Sequence, residues 1–139
     1  MKIRPATVDD HEALCALDTV ANASPERRAQ IRGWLQSARC CVAEVDGRIA
    51  GYGVLTSHFF GHPFIDMVMV GEAFRRQGVG AEIVRYLQSI VQGPKLFSST
   101  NASNVPMQRL FYSLGFERSG QVDNLDDGDP EIIFHTVTR

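Results

Sequence analysis

An apolar run, Ile65 to Val70, gives way at Arg75-Arg76-Gln77-Gly78-Val79-Gly80-Ala81 to a helical apolar stripe. That junction limits the fold more than any other stretch of the chain. A buried strand has to hand the backbone to a helix through a turn holding two glycines two residues apart. The first N–H groups of a helix have no internal acceptor, and the helix dipole adds roughly half a positive charge at the same end. Strand, glycine turn and helix start therefore present an anion site, suited to a phosphorylated ligand.

The elements around that junction follow from spacing and from turn chemistry. Lys2 to Ala6 reads as a first strand. Thr7 is an N-cap with Asp9 and Asp10 behind it, and Leu14, Leu17 and Ala21 recur at helical spacing. Ser24-Pro25-Glu26 starts a second helix whose buried face is Ile31, Trp34 and Leu35. Cys40–Val45 and Ile49–Thr56 are strands joined by the hairpin turn Asp46-Gly47, with Gly51 and Gly53 either weakening the second or allowing close packing. His58 to Pro63 reads as a loop, and Phe64 to Val70 as a central strand covered on both faces.

After the glycine turn, Gly80, Ile83, Val84, Leu87, Ile90 and Val91 form the helical stripe, which Gly93-Pro94 stops. Lys95–Thr100 is a strand. Met107, Leu110, Phe111 and Leu114 mark a last helix ending near Gly115. Glu117–Val122 and Ile132–Val137 read as a closing antiparallel pair joined by an acidic loop. This order predicts one α+β domain over 1–139, with a mixed, mostly antiparallel sheet of about seven strands and helices on both faces.

Totals exclude several classes. A net charge of −2 argues against a nucleic-acid binder with a broad basic surface. No apolar run approaches the ~18 residues of a membrane span, and Met1 to Pro5 has no signal-like apolar region. Cys15, Cys40 and Cys41 offer neither a disulfide framework nor a Cys-x-x-Cys zinc pair, so a reducing cytoplasm is the expected location and no metal is expected.

Competing phosphate motifs fail at the turn. No Gly-Lys pair exists for a P-loop, and Ile83 stands where a dinucleotide fingerprint needs its third glycine. The pattern Q/R-x-x-G-x-G/A fits, filled by Arg75, Gly78 and Gly80. Here the chain resembles the GNAT superfamily of acyl-CoA-dependent N-acyltransferases. The likeness covers nearly the whole chain: element order, the strand ending Val68-Met69-Val70, the turn, Asn104, and the helix end Leu114-Gly115-Phe116.

The resemblance implies transfer of the acetyl group of acetyl-CoA directly to an amine, from a small molecule or a protein. It implies that Arg75, Arg76, Gln77, Gly78, Val79, Gly80 and Ala81 hold the pyrophosphate of coenzyme A. Val68, Met69 and Val70 would bind pantetheine through their backbone, with the Val68 N–H on the developing oxyanion. The Lys95–Thr100 strand would splay away to admit the cofactor. Asn104 would contact the pantetheine arm; on composition it is equally a helix N-cap. Ser98 to Asn101 either lines the same cleft or forms an ordinary turn.

Two proton transfers matter unequally. A lysine-like amine has a pKa near ~10.4, so freeing its lone pair at pH 7 costs about 4.6 kcal/mol. A thiolate with a pKa of about 8.5 departs fairly well unassisted. A base is therefore worth more than an acid. Asp66, the one acid in an apolar strand, is the base candidate; strand alternation puts it on the face of Val68 and Val70. The plain alternative is an Asp that caps a loop or pairs with an Arg, and Glu44 is a weaker rival. The chain departs from the family pattern at the acid: many members carry Tyr where this one has Phe111. Tyr112, turned by ~100° around the helix, is one replacement; unassisted departure, water or Ser113 are the others. The same Phe111 keeps open a non-catalytic acyl-CoA-binding sensor.

Asp123, Asp126, Asp127, Asp129 and Glu131 make either a solvated turn or a lip that attracts a cationic amine, and Leu125 breaks a calcium-loop pattern. Arg27, Arg28, Arg32 and Arg39 form either a wet helix face or a receiver for an acceptor's carboxylate. Acyl-chain preference depends on the cleft near Phe59, Phe60 and Phe64, and the exposed edge of the last hairpin allows a homodimer.

Overall fold

A computed structural model describes residues 1–138. Seven strands form one sheet in the order β1-β2-β3-β4-β5-β7-β6. They are β1 (Lys2–Pro5), β2 (Arg39–Val45), β3 (Arg48–Phe59), β4 (His62–Val70), β5 (Lys95–Asn101), β6 (Glu117–Val122) and β7 (Glu131–Val137). Every neighbouring pair is antiparallel except β4 and β5. The helices are α1 (His11–Leu17), α2 (Pro25–Ser37), α3 (Val79–Ile90) and α4 (Val105–Ser113). The α+β sheet with helices on both faces agrees with the sequence reading.

Turn chemistry accounts for most boundaries. Ser24 caps α2 by accepting the Arg27 N–H at 3.2 Å, with Pro25 in the first turn. Asp46 and Gly47 both take left-handed φ, 50° and 75°, as a two-residue hairpin turn of this hand requires. Two expectations fail. The segment His58–Pro63 is not a loop but the tip of a β3–β4 hairpin turning on Phe60 and Gly61, at φ 52° and 77°. Pro63, which has no N–H to give, falls where the β3–β4 register breaks. The first helix stops at Leu17 rather than reaching Ala21. Asp18 leaves helical geometry and its side chain accepts the N–H groups of Val20 and Ala21 at 2.9 and 3.1 Å.

Strand alternation sorts the core into two layers. One packs Leu14, Ile31, Val42, Tyr52 and Val54 under α1 and α2; the other packs Cys41, Leu55, Ile65, Leu96 and Phe134 under α3 and α4. Cys40 and Cys41 fall on opposite faces, and burial pushes their thiols up to about 11 and about 12. Neither thiol is therefore a nucleophile at neutral pH.

Two devices hold the layers. A Cβ on Gly53 would meet Ile83 Cγ2 at 2.5 Å and Leu87 Cδ1 at 3.0 Å, and one on Gly51 would meet the Met69 carbonyl oxygen at 2.6 Å. These glycines let α3 sit directly on β3. Beneath α1, the fully buried Asp18 accepts from Tyr52 Oη at 2.7 Å and from Arg27 Nη1 at 3.0 Å. Burial alone would raise its pKa, but these donors and the Ala21 N–H outweigh burial and hold it below the ordinary value of 3.8.

Three substitutions test this packing, one of them on an open helix face as a contrast. Gly53→Ala destabilises by about 1–3 kcal/mol through overpacking. Gly33→Ala, on the exposed face of α2 with open space around it, stabilises by roughly 0.5–1 kcal/mol. Urea denaturation of the two variants checks the opposite signs. A carboxylate with a depressed folded-state pKa stabilises the fold above its unfolded value and loses that contribution as pH falls through the folded value. Thermal unfolding of Asp18→Asn is therefore expected to show a loss of roughly 3 kcal/mol near pH 7 and a flatter decline below pH ~4 than the parent protein.

Candidate functional site

The parallel strands β4 and β5 pair only at Phe64↔Phe97 and Ile65↔Ser98. The buried Ser98 hydroxyl ties the junction by donating to the Ile65 carbonyl at 2.9 Å. Past that point the strands part, and a groove of about 810 Å³ opens between them. The predicted splay is thus present.

One edge of the groove is backbone. The Gly71 N–H donates to the Ala50 carbonyl at 2.7 Å, and the register pairs Tyr52 with Met69 and Val54 with Met67. Antiparallel pairing alternates, so Met67 and Met69 direct their N–H and C=O groups at β3. Val68 and Val70 direct theirs at the gap. Met69, between them, lines the groove without offering its backbone polar groups to it.

The far end of the groove is the glycine turn. Arg76 and Gly78 both have left-handed φ, 65° and 80°. No backbone N–H from Arg76 to Ala81 reaches a backbone acceptor among the described residues. Together with the start of α3 these groups form a concavity of bare N–H groups, the arrangement that suits an anion. The glycines serve different ends. A Cβ on Gly78 would meet nothing, so its backbone angle is the requirement. On Gly80 a Cβ would crowd Leu110 Cδ2 at 3.3 Å, so there room is the requirement. Arg75, Arg76, Gly78, Val79 and Gly80 line the groove; Gln77 and Ala81 do not, and the Gln77 amide donates to the Ala73 carbonyl at 3.4 Å.

The α4 end supplies Asn104. Its Oδ1 accepts the Met107 N–H at 3.2 Å, which makes it the cap, and the same residue lines the groove. Its Nδ2 donates to no group among the described residues. Phe111 lines the groove and is 1% exposed, its ring tilted against those of Phe116 and Phe134, each 5.0 Å away. Tyr112 is 52% exposed, edge-on to Phe134 at 5.4 Å, and lies outside the groove lining.

Asp66 lines the groove at the fork, but not on the expected face. The register jumps from Val54↔Met67 to Leu55↔Ile65, leaving Asp66 as the extra residue of a bulge. Ile65 takes the α3 side with Val68 and Val70. Asp66 turns to the α1–α2 side, where its Oδ1 accepts the Thr56 hydroxyl at 2.6 Å. Simple alternation misplaces it because one inserted residue inverts every side chain before it. Glu44, the rival, pairs with Arg4 at 3.4 Å instead.

Glu131 is a groove residue that sequence reasoning left inside the acidic loop. Its Oε2 accepts the Ser99 hydroxyl at 2.7 Å across the β5–β7 pair. Other members of that loop are structural: Asp126 accepts from Asn101 Nδ2 at 2.9 Å, and Asp129 accepts from the Ser103 N–H at 2.9 Å and its hydroxyl at 2.6 Å. A start-of-strand Glu beside a run of aspartates gives no sequence sign of facing a cleft.

Comparison with known proteins agrees with this geometry. The model described as the acetyltransferase (GNAT) family matches residues 8–116. A crystal structure of a GNAT-family acetyltransferase from Bacillus cereus ATCC 10987 superposes with a TM-score of 0.92 at 36% identity, covering 99% of this chain and 97% of that one. An uncharacterized N-acetyltransferase of Methanocaldococcus jannaschii is 28% identical over 140 residues, 96% of this chain and 89% of its own. A putative acetyltransferase from Salmonella typhimurium, solved with its cofactor acetyl-CoA, shares the fold at a TM-score of 0.80 and 19% identity, covering 100% of this chain and 94% of that one. The chain therefore belongs to the acetyltransferase (GNAT) family, whose members take the acetyl group of acetyl-CoA and give it to an amine.

Proposed function

We propose that the chain passes the acetyl group of acetyl-CoA directly to an amine, with Asp66 receiving the proton that the amine gives up. The forked sheet carries this reading: an unpaired strand edge leads from a carboxylate at the fork to an anion-binding turn at the groove's end. That sequence of groups fits an acyl-CoA along its length. Val68 and Val70 offer alternate N–H and C=O groups to a pantetheine arm, as an added strand would. The N–H groups from Arg76 to Ala81, with the side chains of Arg75 and Arg76, suit a pyrophosphate. Asn104 has Nδ2 left for an arm carbonyl.

At the fork the acceptor arrives as an ammonium and must lose a proton before it can attack. Asp66 takes that proton, directly or through one water, and returns it to solvent. The nitrogen lone pair then adds to the thioester carbonyl carbon. The Val68 N–H lies on the edge where the carbonyl oxygen gains negative charge. A C–N bond forms, the nitrogen sheds its second proton to water as it becomes an amide, the C–S bond breaks with its electron pair staying on sulfur, and the thiolate takes up one proton from water. With Phe111 apolar and Tyr112 outside the groove, no side-chain acid is assigned to that last step. An acyl-CoA sensor has no use for a carboxylate at the fork, so Asp66 favours catalysis over a purely binding role.

Two variants test the roles. Asp66→Asn is expected to lower kcat by about 10²–10⁴-fold while calorimetry finds its acetyl-CoA affinity within about threefold of the parent. Unchanged turnover in that variant removes Asp66 from the mechanism. Tyr112→Phe is expected to keep kcat within about twofold; a fall beyond about tenfold would make the Tyr112 hydroxyl the proton donor.

A further inference from the structure

Asp66 and Glu131 stand on either lip of the fork, one on β4 and one on β7 behind β5. Each has one oxygen tied to a neighbouring strand's hydroxyl, Thr56 for Asp66 and Ser99 for Glu131. The second oxygen of each accepts nothing, and neither carboxylate has a Lys, Arg or His partner within 4.0 Å among the described residues. Two half-buried acids without a cation, facing one groove, call for a positive charge from outside.

On the same sheet face, one step toward the closed end of the fork, lies an aromatic shelf. The Phe59 ring is 5.0 Å from those of Phe64 and Phe97, and His135 closes the end at 5.2 Å from Phe97. Phe64 and Phe97 are register partners, and Asp66 and Ser99 follow each of them by two residues. Two strand residues span about 7 Å, so the shelf and the carboxylates are one short alkyl spacer apart. Phe59, Phe64 and Phe97 belong to neither core layer, and the α1–α2 packing stops short of them.

Three of the four arginines that could receive an acceptor's carboxylate are engaged elsewhere, and the fourth, Arg32, lies on α2 near Cys15 and does not line the groove. Arg27 is held by Asp18 at 3.0 Å, Arg28 by Glu12 at 3.4 Å, and Arg39 by the Ile90 carbonyl at 2.8 Å. An amino acid acceptor would bring its carboxylate against Asp66 and Glu131, which repel it. A sugar amine or a peptide would lay hydroxyls or amides on the Phe59, Phe64 and Phe97 rings, which cannot pair them.

We infer that the acceptor is a primary amine with an apolar, ring-sized body and no acidic group, its ammonium held between Asp66 and Glu131 and its body on the Phe59–Phe64–Phe97 shelf. This rests on the acetyl-transfer reading and narrows it. Glu131 is then a specificity-determining residue, holding the ammonium while Asp66 takes its proton.

Free-thiol release at saturating acetyl-CoA tests the inference with phenethylamine, hexylamine, methylamine, phenylalanine, glucosamine and an alanine-led peptide. The expected order puts phenethylamine and hexylamine about a hundredfold or more in kcat/KM above phenylalanine, glucosamine and the peptide. Glu131→Gln is expected to raise the phenethylamine KM about tenfold with kcat changed less than about threefold. Phe97→Ala is expected to lower kcat/KM about tenfold for phenethylamine and leave methylamine within about twofold, which separates loss of the shelf from loss of the fold. A preference for phenylalanine, glucosamine or the peptide overturns the inference. So does an equal loss for both amines in Phe97→Ala, or a dimer in the parent protein that Phe97→Ala converts to monomer. Calorimetric binding of acetyl-CoA with no panel amine acetylated sinks the acceptor assignment alone; absence of that binding sinks the acetyl-transfer reading with it.

Discussion

The site depends on two parallel strands that stop pairing. β4 and β5 share two register pairs and then diverge, although unpaired backbone groups inside a protein are costly. The fork survives because neither strand needs the other for support. β4 is bonded to β3 along its far edge, and β5 to β7 over its whole length. Each half is a complete antiparallel sheet, and Ser98 pins the two at the apex through the Ile65 carbonyl. Groups left bare past that pin are those that an extended ligand can satisfy.

Holding the fork open is only part of the task; the two ends of the reaction must also be kept apart. Gly51 and Gly53 bring α3 down onto β3, which fixes the start of that helix beside Val70 and so fixes the glycine turn on one side of the sheet. The bulge at Asp66 then turns its carboxylate to the other side. A strand with regular alternation would have put Asp66 on the α3 side, where the acyl carrier is proposed to lie. One extra residue therefore separates the proposed carrier side from the side that an amine would enter. Glu131 and the Phe59–Phe64–Phe97 rings lie on that second side as well.

What sequence could disclose tracks how local the cause is. Ser24-Pro25, Asp46-Gly47 and Gly78 each state their backbone geometry within two residues, and each element boundary they imply agrees with the structure. Phe60-Gly61 carries no such signal, because Phe is a poor choice for φ 52°, and the hairpin it closes read as a loop. Asp66 was identifiable as an odd acid among apolar residues, but its direction depends on a register slip against Val54 and Leu55. Glu131 was hidden by the aspartates around it; only its bond to Ser99, 32 residues away in sequence, separates it from them. Tyr112 and Phe111 differ by a single helical step, and packing against Phe116 and Phe134 decides which of them faces the groove.

The unpaired edge of β4 makes the most direct demand on experiment. Amide hydrogen exchange followed by NMR, with and without acetyl-CoA, reads that edge residue by residue. The account predicts that acetyl-CoA slows exchange at Val68, Val70 and the amides from Arg76 to Ala81, and leaves Met67 and Met69, already bonded to β3, nearly unchanged. Protection spread evenly over β4, or absent from Val68 and Val70, would contradict it.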